Sequence, residues 1–205
     1  RYISLYPSDD DIDQIIDEIN KLEPDGIFST VVGEGAIKLY QRYAEKGKTR
    51  GKSPIMSLTT GEPEIVEMGV GAAEGHYTCA PYFSSLPRAA NQRFVTAYRS
   101  AFGAHAPISA CTEAAYFQVH LFAEALKLGG PDAILQSLPL VEFDAPQGKV
   151  RIDRTTQHTF LTPRIGRVLP SGAFEIVYDH KSTVRPDPYK VEPEASGWSR
   201  FVGGA

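Results

Sequence analysis

Two short apolar segments of this sequence each contain small hydroxyl residues and lead directly into the start of a helix. The first covers residues 27–32 and continues into Gly33-Glu34-Gly35, and the second covers residues 55–60 and continues into Gly61-Glu62-Pro63. In open α/β sheets, ligands bind in the crevice outside the carboxyl ends of the strands. The pattern therefore predicts a parallel sheet that presents a small-molecule site at its carboxyl edge.

Amphipathic helices alternate with strands along the first 80 residues. Isoleucines spaced three and four residues apart predict a helix over residues 9–22, and a second apolar face predicts a helix over residues 35–45. This alternation predicts that three strands lie side by side and parallel, over residues 27–32, 55–58 and 77–80. Residues 1–6 also have the composition of a strand, and residues 62–68 that of a short helix.

The pattern changes after residue 81 to a helical region followed by a β-hairpin. Helices are expected over residues 89–102, 109–128 and 131–138, and hairpin strands over residues 164–169 and 173–178. The middle helix is apolar almost all the way round, so we expect it to be covered on more than one side. If these helices were left bare, seven large side chains would form an exposed patch: Phe94, Val95, Tyr98, Tyr116, Phe117, Leu121 and Phe122. Either further chain or a second copy, as in a homo-oligomer, is expected to cover them.

Composition and charge narrow the functional classes. The 205 residues carry a formal net charge of −4, which argues against direct binding of nucleic acid. No stretch of about 18 apolar residues occurs, so no membrane-spanning helix is expected. The sequence starts without Met or a signal peptide, which we interpret as a truncated chain whose targeting information is missing. Its two cysteines, Cys79 and Cys111, lie in apolar segments and are expected to be buried thiols.

No residue pattern predicts catalysis, a metal or a cofactor. The five histidines lack metal-ligand spacing, and the aspartates of residues 9–13 are typical of a helix start. Gly33-Glu34-Gly35 lacks the third glycine of a dinucleotide-binding turn, because Lys38 occupies that position. Glu113 and Glu124 lie three helical turns apart, but an isolated pair of carboxylates on a packing helix does not predict general acid–base catalysis. No serine or threonine has a base nearby in the sequence, so we expect a non-enzymatic protein whose hydroxyl groups hydrogen-bond a ligand.

A series of longer motifs is more specific. They are Leu5-Tyr6-Pro7-Ser8-Asp9-Asp10-Asp11, Phe28-Ser29-Thr30-Val31-Val32-Gly33, Ser57-Leu58-Thr59-Thr60, Ala80-Pro81-Tyr82-Phe83-Ser84-Ser85, Glu113-Ala114-Ala115-Tyr116, Asp144-Ala145-Pro146-Gln147-Gly148 and Arg185-Pro186-Asp187-Pro188-Tyr189. In this order they resemble the family of amide-binding negative regulators of the aliphatic amidase operon and the short-chain amide and urea-binding proteins of ABC importers. The resemblance covers essentially the whole chain but only the C-terminal half of that family.

The resemblance implies a type I periplasmic-binding-protein fold, an α/β fold of two Rossmann-like lobes that close on a ligand. Residues 1–81 and 150–205 would form the C-terminal ligand-binding lobe, and residues 82–145 would be the helical part of the N-terminal lobe. Two family ligand contacts match positions of this chain, Val32 and Thr59. Their neighbours Gly33 and Thr60 are expected to line the same side of the cleft.

The nature of Thr59 favours a neutral ligand. In the amino-acid-binding relatives of this family, an acidic residue in this position pairs with the ligand ammonium. A hydroxyl group hydrogen-bonds an amide or urea but does not balance a buried cation.

Two functions follow from the resemblance. The first is a cytoplasmic amide sensor that regulates amidase expression through an RNA-binding antiterminator protein. The alternative is an extracytoplasmic, periplasmic receptor that delivers amides, urea or branched-chain amino acids to an ABC permease. An upstream secretion signal would decide between them.

Overall fold

A computed structural model describes residues 7–188 of the chain. The strand expected over residues 1–6 lies outside the described residues, as does the chain beyond residue 188. The helices are α1 (Asp9–Leu22), α2 (Gly33–Lys46), α3 (Glu62–Met68), α4 (Val70–Ala73), α5 (Ala89–Phe102), α6 (Ala110–Gly129) and α7 (Ile134–Ser137). The strands are β1 (Ile27–Ser29), β2 (Ile55–Ser57), β3 (Tyr77–Ala80), β4 (Glu142–Ala145), β5 (Gly148–Arg151), β6 (Arg164–Val168) and β7 (Phe174–Asp179).

Within residues 7–188, five strands form one sheet in the order β1-β2-β3-β6-β7. The first three are adjacent and parallel, which confirms the prediction drawn from the alternation of strands and helices. The strand β6 returns antiparallel beside β3 and forms the expected hairpin with β7. The carboxyl ends of β1 and β2 therefore lie next to each other at one edge of the sheet.

The first strand is shorter than expected. It ends at Ser29, three residues before the predicted end at Val32. The Ser29 Oγ accepts a hydrogen bond from the Val31 N–H at 3.3 Å, which turns the chain out of the sheet. Helix α2 then begins at Gly33, whose φ of +58° is a conformation that glycine adopts without strain.

Helices α1 to α4 supply the main core on one face of the sheet. Ser8 caps α1 by a reciprocal pair of hydrogen bonds with Asp11, as the acidic start of this helix suggested. Buried side chains of all four helices then meet those of the sheet, in a cluster that includes Ile12, Ile16, Leu39, Tyr40, Tyr43, Ile55, Ile65, Met68, Ala72 and Phe174. On the opposite face, the paired residues Phe28 and Met56 are 67% and 42% exposed.

The second half of the chain packs around α6. Its buried face meets the β4–β5 hairpin in a cluster of Phe117, Leu121, Ala145 and Val150. Val119 and Phe122 of α6 are 69% and 52% exposed, and they are part of the apolar surface that further chain or a second copy is expected to cover. The expected bare patch is smaller than the sequence suggested. Phe94, Phe117 and Leu121 are buried within the chain itself, against α5, α6 and the hairpin.

The segment expected as one helix over residues 131–138 is broken. It consists of a 3-10 turn at Pro131–Ala133, the single turn of α7 and a second 3-10 turn at Leu138–Leu140. Pro139, in the second 3-10 turn, has no backbone N–H, so a regular helix does not continue past it. Among residues 7–188, no helix combines the length and apolar character needed to cross a membrane.

Candidate functional site

The chain leaves β1 and β2 by the same local device. Each strand ends on a buried serine whose hydroxyl oxygen accepts a hydrogen bond from the amide two residues further on. The Ser29 Oγ accepts from Val31, and the Ser57 Oγ accepts from Thr59 at 3.0 Å. Because the two serines are also register partners in the sheet, the two turns lie side by side. The serines shape the edge of the site, whereas the sequence had suggested that they donate hydrogen bonds to a ligand.

Thr59 joins the two turns to each other. Its Oγ1 donates a hydrogen bond of 2.6 Å to the carbonyl oxygen of Val31, 28 residues earlier in the chain. The Leu58 N–H donates to the Ser29 carbonyl oxygen at 3.4 Å and makes a second link. The pattern of strand ends thus brings Thr59 beside Val31 and its neighbour Val32. The lone pairs of Thr59 Oγ1 remain able to accept a hydrogen bond from a bound molecule.

Three of the four predicted site residues reach the surface at this edge. Val32 is 44% exposed, and Gly33 and Thr59 are also exposed. Thr60 is 3% exposed and lies beneath them, with its hydroxyl donating to the Ser57 Oγ at 3.0 Å. The structure therefore places Thr60 as a support for the turn.

A buried tyrosine lies under this edge. The Tyr40 side chain of α2 is 2% exposed, and its hydroxyl lies beside Ser57 and Thr60. Burial raises the pKa of Tyr40, and the two neighbouring hydroxyl groups only partly oppose that effect. The phenol therefore remains neutral.

The carboxylates at the starts of the following helices already have partners, and the Glu64 Oε2 accepts a hydrogen bond of 2.8 Å from the Gly61 N–H. Glu34 forms an ion pair with Lys38 at 3.2 Å on the outer surface of α2. The Glu62 carboxylate accepts a hydrogen bond of 2.8 Å from the Ser84 N–H, and burial raises its pKa. The edge itself offers hydroxyl groups, backbone carbonyls and the apolar Val32 side chain. Such groups bind a small polar molecule without net charge better than an isolated ion.

The other acidic residues that the sequence offered as site candidates do not come together in the structure. Glu113 is fully buried, whereas Glu124 pairs with Lys127 at 2.7 Å on the surface. The carboxylate of Asp9 faces the cations of Lys38 and Arg42. Within residues 7–188, no group of three His, Cys, Asp or Glu side chains is arranged to hold a metal ion.

Both cysteines are free thiols, but they are less buried than the sequence suggested. Cys79 is half-buried, and Cys111 is exposed at the start of α6.

Two surface cavities lie away from the strand ends. One, of about 660 Å³, lies between α5, α6 and β4 and is lined by Phe94, Tyr116, His120 and Phe143. The other, of about 640 Å³, lies at the opposite edge of the sheet beside Arg50, His76 and Arg167. Neither contains a predicted site residue. Val32, Gly33 and Thr59 instead lie on the exposed edge at the ends of β1 and β2, which we call the wall.

Sequence reasoning did not predict the polar residues that join the sheet to the helical region. The buried Asn91 donates to the carbonyl oxygens of Ser84 and Leu86 and accepts from the Tyr82 hydroxyl. The buried Arg164 donates to the carbonyl oxygens of Pro81 and Gln147. Several of these residues lie in or next to the motifs described above. The partners of Arg164 lie 83 and 17 residues away in the sequence, so spacing does not reveal them.

The chain is similar to known solute-binding proteins. An ABC transporter solute-binding protein from R. palustris, solved with 4-hydroxybenzoate, has a TM-score of 0.76 and 21% identity over 93% of this chain and 53% of that protein. One from Rhodopseudomonas palustris BisB5, solved with 3,4-dihydroxybenzoic acid, has a TM-score of 0.75 and 24% identity, covering 87% of this chain and 50% of that one. At these identities the likeness concerns the fold. The chain spans about half the length of these solved structures.

A sequence comparison gives a different kind of relative. A limonene hydroxylase from Geobacillus stearothermophilus is 30% identical over 124 residues, which are 59% of this chain and 23% of that protein. The model of the periplasmic binding protein domain, in contrast, matches residues 1–195. The mixed α/β sheet, with its paired turns at the ends of β1 and β2, agrees with this family match. The chain belongs to the periplasmic binding protein domain family.

Proposed function

We propose that this protein binds a small uncharged solute, without chemical conversion, at the wall formed by the turns after β1 and β2. The observation that carries the proposal is the hydrogen bond from Thr59 Oγ1 to the Val31 carbonyl oxygen. It aligns two neutral strand ends into one surface that presents Thr59 and Val32. The proposed ligand contacts are Val32 and Thr59, with Gly33 beside them and Thr60 beneath.

Membership of the family supports a role as the solute-binding component of an ABC importer, which would operate in the periplasm with a permease as partner. Several proteins of similar structure carry that description. Since the chain spans about half of their length, we propose that the opposite wall of the cleft comes from a part of the protein beyond this sequence. The open form of the described wall agrees with this arrangement.

We infer an amide or urea as the ligand class because of the residue at position 59. The Thr59 hydroxyl, which donates its proton to Val31, accepts a hydrogen bond from an amide N–H, and the nearby carboxylates of Glu34, Glu62 and Glu64 are already engaged with partners of their own. One similar protein, from Brucella ovis, is described as binding leucine, isoleucine, valine, threonine and alanine. Branched-chain amino acids are therefore the alternative ligand class.

A second candidate function is the amide sensor that acts through an RNA-binding antiterminator in the cytoplasm. The long motifs, from Phe28-Ser29-Thr30-Val31-Val32-Gly33 to Asp144-Ala145-Pro146-Gln147-Gly148, resemble the amide-binding regulators as well as the importer proteins. Co-purification distinguishes the two candidates. A ligand-sensitive complex with an RNA-binding protein supports the sensor, and a complex with a membrane permease supports the importer.

Replacement of Thr59 tests the site. We expect Thr59→Val, in the intact protein, to weaken acetamide or urea binding by about 1–3 kcal/mol. The reason is that the ligand N–H that donates to Thr59 Oγ1 would be left without a partner in the closed cleft. The measurement is isothermal titration calorimetry. Thr59→Ser keeps the hydroxyl group and serves as the matched control, with affinity close to that of the wild type. Equal affinities for the valine variant and the wild type would remove Thr59 from the site.

A further inference from the structure

A buried carboxylate lies at the junction between the sheet and the helical region. Glu113, in the first turn of α6, is 0% exposed. Its two carboxylate oxygens accept hydrogen bonds from the backbone N–H of Gln147 at 3.2 Å and from the Gln147 Nε2 at 2.8 Å. Gln147 lies in the turn between β4 and β5, so this contact fixes the hairpin on α6.

Arg164 connects this pair to the sheet. Its guanidinium donates hydrogen bonds to the carbonyl oxygens of Gln147 at 3.0 Å, of Thr162 at 3.4 Å and of Pro81. Pro81 follows β3, and Arg164 begins β6. The two connections between the sheet and the helical region therefore meet at one buried guanidinium beside Glu113.

Two titratable groups on neighbouring elements interact with Glu113: Arg164 of β6, and Tyr82, which also interacts with Glu62 of α3. Arg164 in turn interacts with Asp179 of β7, 3.4 Å from its Nε, and with Arg88 before α5, which pairs with Asp144 of β4 at 2.7 Å. Burial raises the pKa of Glu113 to about 7, and the hydrogen bonds from Gln147 and the charge of Arg164 oppose that increase.

The Gln147 side chain provides an unused acceptor. Its Oε1 is buried and has no hydrogen-bond partner among the described residues. A protonated Glu113 carries an O–H that needs an acceptor. Rotation of the Gln147 amide by half a turn would bring Oε1 to that proton and would move Nε2 to the place of the unpartnered oxygen.

We propose that Glu113 and Gln147 form a proton-dependent latch, in which the charge on Glu113 selects one of two orientations of the Gln147 amide and thereby sets how firmly the hairpin and β6 hold the junction. With ionised Glu113, both Gln147 donors point at the carboxylate. With protonated Glu113, the carboxyl group donates to Gln147 Oε1. The latch is independent of which solute the protein binds.

The direction of the pH effect follows from linkage. The folded protein holds the proton on Glu113 more strongly than the unfolded chain, so stability contributed by this group is present at low pH and is lost as pH rises through about 7. Desolvation of the ionised carboxylate therefore outweighs its attraction to Arg164. We therefore expect the contacts between the β4–β5 hairpin, α6 and β6 to become less stable as the pH rises.

Hydrogen–deuterium exchange of the intact, ligand-free protein tests the latch. We expect peptides covering residues 81–86 and 145–151 to exchange roughly tenfold faster at pH 8 than at pH 5.5 after correction for intrinsic rates, with a midpoint near 7. Glu113→Gln should abolish this difference. Glu142→Gln removes an exposed carboxylate that pairs with Lys149, so it should preserve the difference.

Two results would overturn the latch. One is a wild-type protein whose corrected exchange in both segments is the same at the two pH values. The other is a Glu113→Gln protein that keeps the wild-type difference. The first result needs no variant, so the test holds even if Glu113→Gln fails to fold. Solute binding takes no part in either measurement, so failure here leaves the proposed function untouched.

Discussion

Replacement of Arg164 by methionine is expected to lower the free energy of unfolding by about 3–5 kcal/mol, because three carbonyl oxygens lose their donor and each buried polar group left without a partner costs about 1–3 kcal/mol. The guanidinium is 5% exposed and donates to the carbonyl oxygens of Pro81, Thr162 and Gln147. Methionine occupies a similar volume but offers these oxygens no donor. Denaturant unfolding followed by circular dichroism measures the loss.

Arg167 provides the control for this change. It lies on the same strand three residues later, but it is exposed. Arg167→Met should change the free energy of unfolding by less than about 0.5 kcal/mol, as is usual for surface substitutions. If Arg164→Met were as stable as Arg167→Met, the junction would not depend on the guanidinium.

Replacement of Asn91 by leucine is expected to lower the free energy of unfolding by about 3 kcal/mol, because each buried polar group left without a partner contributes about 1–3 kcal/mol. Asn91 is 1% exposed and holds the segment after β3 at three points. It accepts from the Tyr82 hydroxyl at 2.8 Å and donates to the carbonyl oxygens of Ser84 and Leu86 at 2.9 and 2.8 Å. Thermal and denaturant unfolding measure the effect.

Gln92, the next residue of α5, is exposed and serves as the matched control. Gln92→Leu adds the same side chain to the same helix without removing a buried hydrogen bond. Its stability should stay near that of the wild type. If the Asn91→Leu protein were as stable as the Gln92→Leu protein, the Tyr82 hydroxyl and the carbonyl oxygens of Ser84 and Leu86 would have found other partners.

The main elements of the sheet were predictable because their signals are local. The apolar runs around Ile27 and Ile55 and the isoleucine spacing in α1 depend only on neighbouring residues, and the three parallel strands follow from them. The end of β1 was not predictable from apolar character alone. The hydroxyl of Ser29 turns the chain early although Val31 and Val32 suit a strand.

The partners of α6 were not predictable, for a different reason. The sequence shows that a face is apolar but does not show which other segment meets it. Phe117 and Leu121 are buried against the β4–β5 hairpin, whereas Val119 and Phe122 of the same helix remain exposed. Whether further chain or a second copy covers the exposed residues stays a prediction, as does the division of the chain into lobes at residues 81 and 150.

The candidate site was predictable in its position but not in its construction. Thr59 and Val32 follow strands whose carboxyl ends must meet at one edge, so their proximity follows from the topology. The bond from Thr59 to Val31 and the support of the turn by Thr60 depend on side-chain geometry. Arg164 and Pro81 lie 83 residues apart, and no local pattern relates them.

Direct measurement of ligand preference tests the central claim, that the wall carrying Thr59 and Val32 selects a small neutral solute. The measurement is calorimetric titration of the intact protein with acetamide, urea, leucine and 4-hydroxybenzoate under one set of conditions. We expect acetamide or urea to bind at least about tenfold more tightly than zwitterionic leucine or anionic 4-hydroxybenzoate, a difference of about 1.4 kcal/mol. Tighter binding of leucine or 4-hydroxybenzoate, unaffected by Thr59→Val, would contradict it.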